Sequence, residues 1–128
     1  MELNKLETRY AVITSKPVDF DKYWGKPQPW QNFDTWGKGY LGLKISSNHY
    51  WVEGIFEHNI CNNTCNYAIT LFNSKKSAET AIKNAKKQFE SQLTQKQNGI
   101  TYAQCLEILN SCIVVEVIIE TKFNMKGE

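Results

Sequence analysis

Three stretches of this sequence predict an α+β fold, an antiparallel sheet of about five strands with one long amphipathic helix packed on one face as a two-layer sandwich. Residues 40–46 and 49–57 alternate apolar and polar positions with the period of two that a half-buried strand requires. Residues 78–93 repeat apolar positions at helical spacing, and Ile113 to Ile119 forms a strongly β-branched run. Strands that precede helices argue for α+β rather than an alternating α/β layout.

The first strand is expected over Thr8–Thr14, ended by Lys16-Pro17. A long aromatic loop follows at about 17–39, inside a single domain that spans 1–128. From Tyr40, Leu41, Leu43 and Ile45 share one face, with Tyr40, Gly42, Lys44 and Ser46 on the other. Ser47-Asn48 turns the chain into a returning strand that sets Tyr50, Val52 and Phe56 against His49, Trp51, Glu53, Ile55 and Glu57, with Gly54 expected as a bulge or a point of close approach. The β-formers of Tyr67–Phe72 predict another strand. Ser74 then caps a helix over 75–97, whose stripe is Ala78, Ile82, Ala85, Phe89 and Leu93 and whose stop is Asn98-Gly99. A shorter helix is expected over Tyr102–Leu109. In the last strand Ile113, Val115, Val117 and Ile119 share a face, and Val114 and Ile118 form an apolar second face, either covered by another element or free for a dimer contact.

Composition narrows function by exclusion. The 128 residues are 41% hydrophobic and 22% charged, the make-up of an ordinary globular domain able to bury its own core. A net charge of +2 decides little, but with seven cations and seven anions in the first 64 residues any basic surface must come from the second half, and a nucleic-acid partner is not expected. No apolar run approaches bilayer-crossing length, so no membrane partner is expected. The start, MELNKLETRY, lacks the layout of a signal peptide, which points to the cytoplasm unless an export segment has been removed. Four cysteines are too dilute for a disulfide scaffold, and Cys105 and Cys112 sit in apolar settings suited to reduced thiols.

No motif fixes a chemistry. Gly37-Lys38-Gly39-Tyr40-Leu41-Gly42 matches the letters of a dinucleotide fingerprint, but a strand follows where that site needs a helix N-terminus, so the glycines read as turn formers. His58, Cys61 and Cys65, with His49 as a conceivable fourth ligand, are weak metal candidates because the second tight pair of a zinc site is missing; no cofactor is expected. Catalysis through His49, Glu53 and His58 would need these groups to converge in a pocket. The lysines at 75, 76, 83, 86 and 87 read as a solvated helix face.

The stretch YWGKPQPWQNFDTWGKGY is the remaining signal. Phe20 to Tyr40 holds seven of the sixteen aromatic residues, among prolines and glycines that suit neither helix nor strand. Long connections without secondary structure are usually binding loops, and aromatic side chains dominate interface hot spots. Trp24, Trp30, Phe33, Asp34 and Trp36, together with Trp51 on the neighbouring hairpin, are therefore the candidate partner-binding residues. The leading expectation is a small non-enzymatic protein, monomeric or homodimeric, that binds another protein as an inhibitor, immunity-type or anti-defence factor. The alternatives are a small-molecule or glycan-binding domain with tryptophans in a cleft, and a small enzyme using His49, Glu53 and His58.

Overall fold

A computed structural model of the chain describes residues 2–25, 38–55, 69–97 and 99–124. It is a small α+β fold in which an antiparallel sheet of about five strands packs against helices on one face. In chain order the elements are β1 (Glu2–Thr14), β2 (Val18–Asp19), α1 (Asp21–Trp24), β3 (Lys38–Ser46), β4 (His49–Ile55), α2 (Lys75–Ser91), β5 (Lys96–Gln97), β6 (Ile100–Thr101), α3 (Tyr102–Asn110) and β7 (Cys112–Asn124). The sheet runs β4-β3-β1-β7, with β2 pairing the first residues of β3, and β5–β6 form a separate two-stranded hairpin.

The β3–β4 hairpin forms as the period-two pattern requires. Ser47 and Asn48 both adopt positive φ, 50° and 63°, the backbone of a tight turn whose twist suits the strands it joins. The ladder runs from Tyr40↔Ile55 to Ser46↔His49 without interruption, so Gly54 pairs with Leu41 in register and makes no bulge. Leu41, Leu43, Tyr50 and Val52 are buried on the face that meets Ala78, Ala81, Ala85 and Phe89 of α2 and Cys105, Ile108 and Leu109 of α3. Lys44, Trp51 and Glu53 therefore lie on the helix-free face.

Four elements depart from the sequence expectation. β1 begins at Glu2 rather than Thr8, because thirteen consecutive residues pair with β7. The fifth strand is β2; the described part of 67–72 contributes instead a wedge between β1 and β3. There Phe72 bridges Tyr10 through two backbone bonds, while Thr70 donates its N–H to Leu43 and accepts the Ile45 N–H on Oγ1. The long helix stops at Ser91, not 97: Leu93 is 48% exposed, so the buried stripe ends at Phe89 and nothing holds a further turn to the core. Instead, Lys96–Gln97 pair with Ile100–Thr101 as the β5–β6 hairpin, and Gly99, just before β6, adopts φ 84°. Finally, the helix-facing side of β7 is Cys112 and Val114, since Val114 lies opposite the buried Val12, and Ile113 is left 48% exposed on the other face.

The glycines of the 37–42 motif that are described serve close packing. A Cβ on Gly39 would lie 2.8 Å from the Phe20 ring, and one on Gly42 would lie 2.6 Å from Ile69 Cγ2 and 2.9 Å from the Val12 carbonyl oxygen. No helix among the described residues is long and apolar enough to cross a membrane.

Candidate functional site

Of the candidate partner-binding residues, Trp24 and Trp51 are described; Trp30, Phe33, Asp34 and Trp36 lie outside the described residues, as do His58, Cys61 and Cys65. Trp24 is a packing residue. It meets Phe20 edge-on at 6.0 Å between ring centroids, contacts Tyr23, and lies against Gly99, where a Cβ would come within 3.1 Å of its Cδ1. The beginning of the aromatic loop is also pinned to α3, because Lys22 Nζ and the Tyr23 hydroxyl both reach Glu107 Oε1, at 2.7 and 3.0 Å. These two hydrogen bonds, Lys22 first, hold the Glu107 carboxyl below the usual carboxylate range, and burial pushes the Tyr23 phenol up.

Trp51 is placed differently. Period-two alternation carries it away from the helices, onto the face it shares with His49, Glu53 and, directly across the ladder, Lys44. Its Nε1 donates to Glu53 Oε1 at 2.6 Å, and the His49 ring lies 6.2 Å away, tilted by 34°. All four side chains are half-buried. The result is an aromatic ring held between an imidazole and a carboxylate on one strand.

A second group of side chains ties this strand to the helical layer. His49 Nε2 is hydrogen-bonded to Gln97 Oε1 of β5. The Tyr102 hydroxyl lies 3.4 Å from the same oxygen and accepts from Gln88 Nε2 at 3.2 Å. Gln88 in turn brackets the Tyr50 backbone, accepting its N–H at 2.9 Å and donating to its carbonyl at 2.7 Å. Because Tyr50 directs both backbone groups outward, so does Val52 two residues on, and its N–H meets the Cys105 thiol of α3. The free edge of β4 is thus closed by side chains from α2 and α3. Sequence reasoning missed Gln88, Gln97 and Tyr102 as members of one cluster. Two signals were present: Asn98-Gly99 is a hairpin dipeptide, and Thr101-x-x-Gln104 is the capping box that starts α3.

Glu53 and His49 each have their own partner, Trp51 and Gln97, and no hydrogen bond joins the two. A groove of about 390 Å³ lies between α2 and the β3–β4 hairpin, with Ile45, Tyr50 and Phe72 on one wall and Ser77, Thr80 and Asn84 on the other. Among the described residues that line it there is no tryptophan, histidine or carboxylate. Burial pushes the Cys105 thiol up to about 11 and that of Cys112 to about 12, far from a nucleophile's range. Among the described residues no group of three or more His, Cys, Asp or Glu side chains could hold a metal ion. Comparison with protein-family models, curated proteins and solved structures finds no match to this chain.

Proposed function

We propose that this chain is a small non-enzymatic binding protein that engages another protein through aromatic surface, as an inhibitor, immunity-type or anti-defence factor does. The observation that carries the reading is the position of Trp51 on the helix-free face, outside the core that Trp24 helps to seal. A large amphipathic ring set among Lys44, His49 and Glu53 combines apolar contact area with charges of both signs, which is the make-up of an interface anchor. The separate partners of His49 and Glu53 favour binding over acid-base catalysis, which needs such groups to converge on a substrate. Trp30 and Trp36, the other candidate anchors of the sequence, lie outside the described residues and are tested beside Trp51.

The test compares pull-downs by wild type, Trp51→Ala and Trp30→Ala/Trp36→Ala, each shown to be folded by circular dichroism. A partner retained by wild type and depleted about tenfold or more by Trp51→Ala supports the reading, since truncating a hot-spot aromatic costs about 2 kcal/mol or more. Equal retention by wild type and Trp51→Ala overturns it.

The groove beside α2 favours a second reading, a small-molecule or glycan-binding domain, because it pairs an apolar wall with hydroxyl and amide groups. Thr80→Trp would fill it from the exposed side. A ligand whose binding survives Trp51→Ala but not Thr80→Trp would select this reading.

A further inference from the structure

The two outer edges of the sheet are treated unlike each other. The β4 edge is closed by Gln88 and Cys105, whereas no described strand pairs with the outer edge of β7. That edge is thirteen residues long, against the few residues natural proteins usually leave unprotected. Its polarity follows from β1. Tyr10 exchanges both backbone bonds with Phe72, so even-numbered residues of β1 point away from β7 and odd-numbered ones towards it. The register Arg9↔Val117 and Ala11↔Val115 then leaves the N–H and C=O groups of Val114, Glu116, Ile118, Glu120 and Lys122 directed outward.

We infer that β7 pairs with β7 of a second copy of this chain, antiparallel about a twofold axis at Ile119, joining the two sheets into one. The charge pattern of the strand together with its exposed apolar residues selects this register. Two-fold pairing that brings even-numbered residues together centres on a residue of β7; centres at 116, 118 or 120 set glutamate opposite glutamate, which is destabilising. Centring on Ile119 sets Glu116 opposite Lys122 at both ends of the ladder and Ile118 opposite Glu120. Centring on Val117 avoids like charges but makes no opposite-charge pair, and centring on Thr121 sets Glu120 opposite Lys122 but confines the ladder to residues 118–124 and separates the two copies of Ile118. The same arrangement accounts for the two most exposed large apolar side chains among the described residues, Leu6 at 65% and Ile118 at 56%. They are diagonal neighbours on the helix-side face of the β1–β7 ribbon, beyond the reach of the helices, and pairing at Ile119 brings the two copies of this apolar strip together across the axis. This surface is separate from the Trp51 face, so the dimer and the partner-binding reading stand or fall independently.

Sedimentation equilibrium and light scattering on wild type and three variants decide the matter. Ile118→Pro removes an outward N–H while sparing the β1–β7 ladder, a place where an edge strand tolerates proline. Lys122→Glu turns both predicted ion pairs into repulsions, and Glu116→Lys/Lys122→Glu restores them with the signs exchanged. The expected result is a concentration-dependent wild-type dimer whose dissociation constant rises about tenfold or more in Ile118→Pro and Lys122→Glu and returns to near the wild-type value in the double variant. Wild type that stays monomeric at about 100 μM, a range in which even weak specific dimers are populated, overturns the inference. So does a dimer indifferent to Ile118→Pro and Lys122→Glu, or one that the charge exchange fails to restore.

Discussion

Gln88 completes the hydrogen bonding of Tyr50: its side-chain amide accepts the Tyr50 N–H at 2.9 Å and donates to the Tyr50 carbonyl at 2.7 Å. A helix side chain thereby stands where the next strand of the sheet would be. Gln88→Ala leaves both Tyr50 groups unpaired at a partly buried edge, for which we expect a loss of about 1 to 3 kcal/mol in urea unfolding. Gln88→Glu keeps an acceptor but not the donor, so it recovers only part of the loss. An unchanged midpoint in Gln88→Ala would show that water replaces the amide at no cost.

Gly42 is required by what lies over it. A Cβ there would meet Ile69 Cγ2 at 2.6 Å and the Val12 carbonyl oxygen at 2.9 Å, and the backbone oxygen cannot move without breaking the sheet. Gly42→Ala is expected to cost about 2 to 3 kcal/mol, at the upper end of small-to-large changes in a packed core. Adding Ile69→Ala should return part of that cost, and a double-mutant cycle with no coupling would contradict the contact.

The Lys22–Glu107–Tyr23 cluster makes a pH prediction of definite sign. Folding lowers the Glu107 carboxyl, chiefly through Lys22 and then Tyr23, so the unfolded chain binds a proton more readily than the folded one. The stabilisation is present above the ordinary carboxylate range and is lost as pH falls through the depressed folded-state value. Both side chains are exposed, which keeps the effect small. Wild type should be more stable than Glu107→Gln at pH 7, and the two should converge by about pH 3. A difference that stayed constant over this range would exclude the ion pair as its cause.

Cys105 and Cys112 are expected to react slowly with thiol reagents while the protein is folded. Burial raises Cys105 from 9.0 to about 11 and Cys112 to about 12, which cuts the thiolate fraction at pH 8 by about 100-fold or more before steric shielding is counted. In a Cys61→Ser/Cys65→Ser background, a thiol reagent should label neither residue in native buffer and both in denaturant. Rapid labelling of the native protein would show that the α3–β7 junction opens on the timescale of the reaction.

Much of the helical layer and of the hairpin was legible in the sequence because local periodicity carries it. Alternation in 40–46 and 49–55 assigned Leu41, Leu43, Tyr50 and Val52 to the core, and the same alternation placed Trp51 with His49 and Glu53 on the opposite face. The helical stripe from Ala78 to Phe89 and the N-cap at Ser74 are equally local, Ser74 accepting the Ser77 N–H at 3.0 Å. Leu93 kept the period after the core had ended, which is why the expected helix ran too long: periodicity records where an apolar residue falls, not whether another element comes to cover it.

What the sequence by itself determined about this protein is therefore its class, its hairpin, the start of α2 and the position of α3, all properties that neighbours within a few residues specify, whereas α1 at Asp21–Trp24 fell inside the stretch read as loop. Only the tertiary structure decided which partners meet across long separations. Val12 opposite Val114 turned the last strand over, so that Ile113 faces away from the helices; Thr70 and Phe72 became a wedge between β1 and β3 rather than a strand of their own. The closing of one sheet edge by Gln88 and Cys105, and the edge of β7 that no described strand pairs, likewise depend on which elements pack beside which strand. Hydrogen bonds and van der Waals contacts act over a few ångströms of space, and a linear order of residues records that proximity only where the chain is also locally continuous.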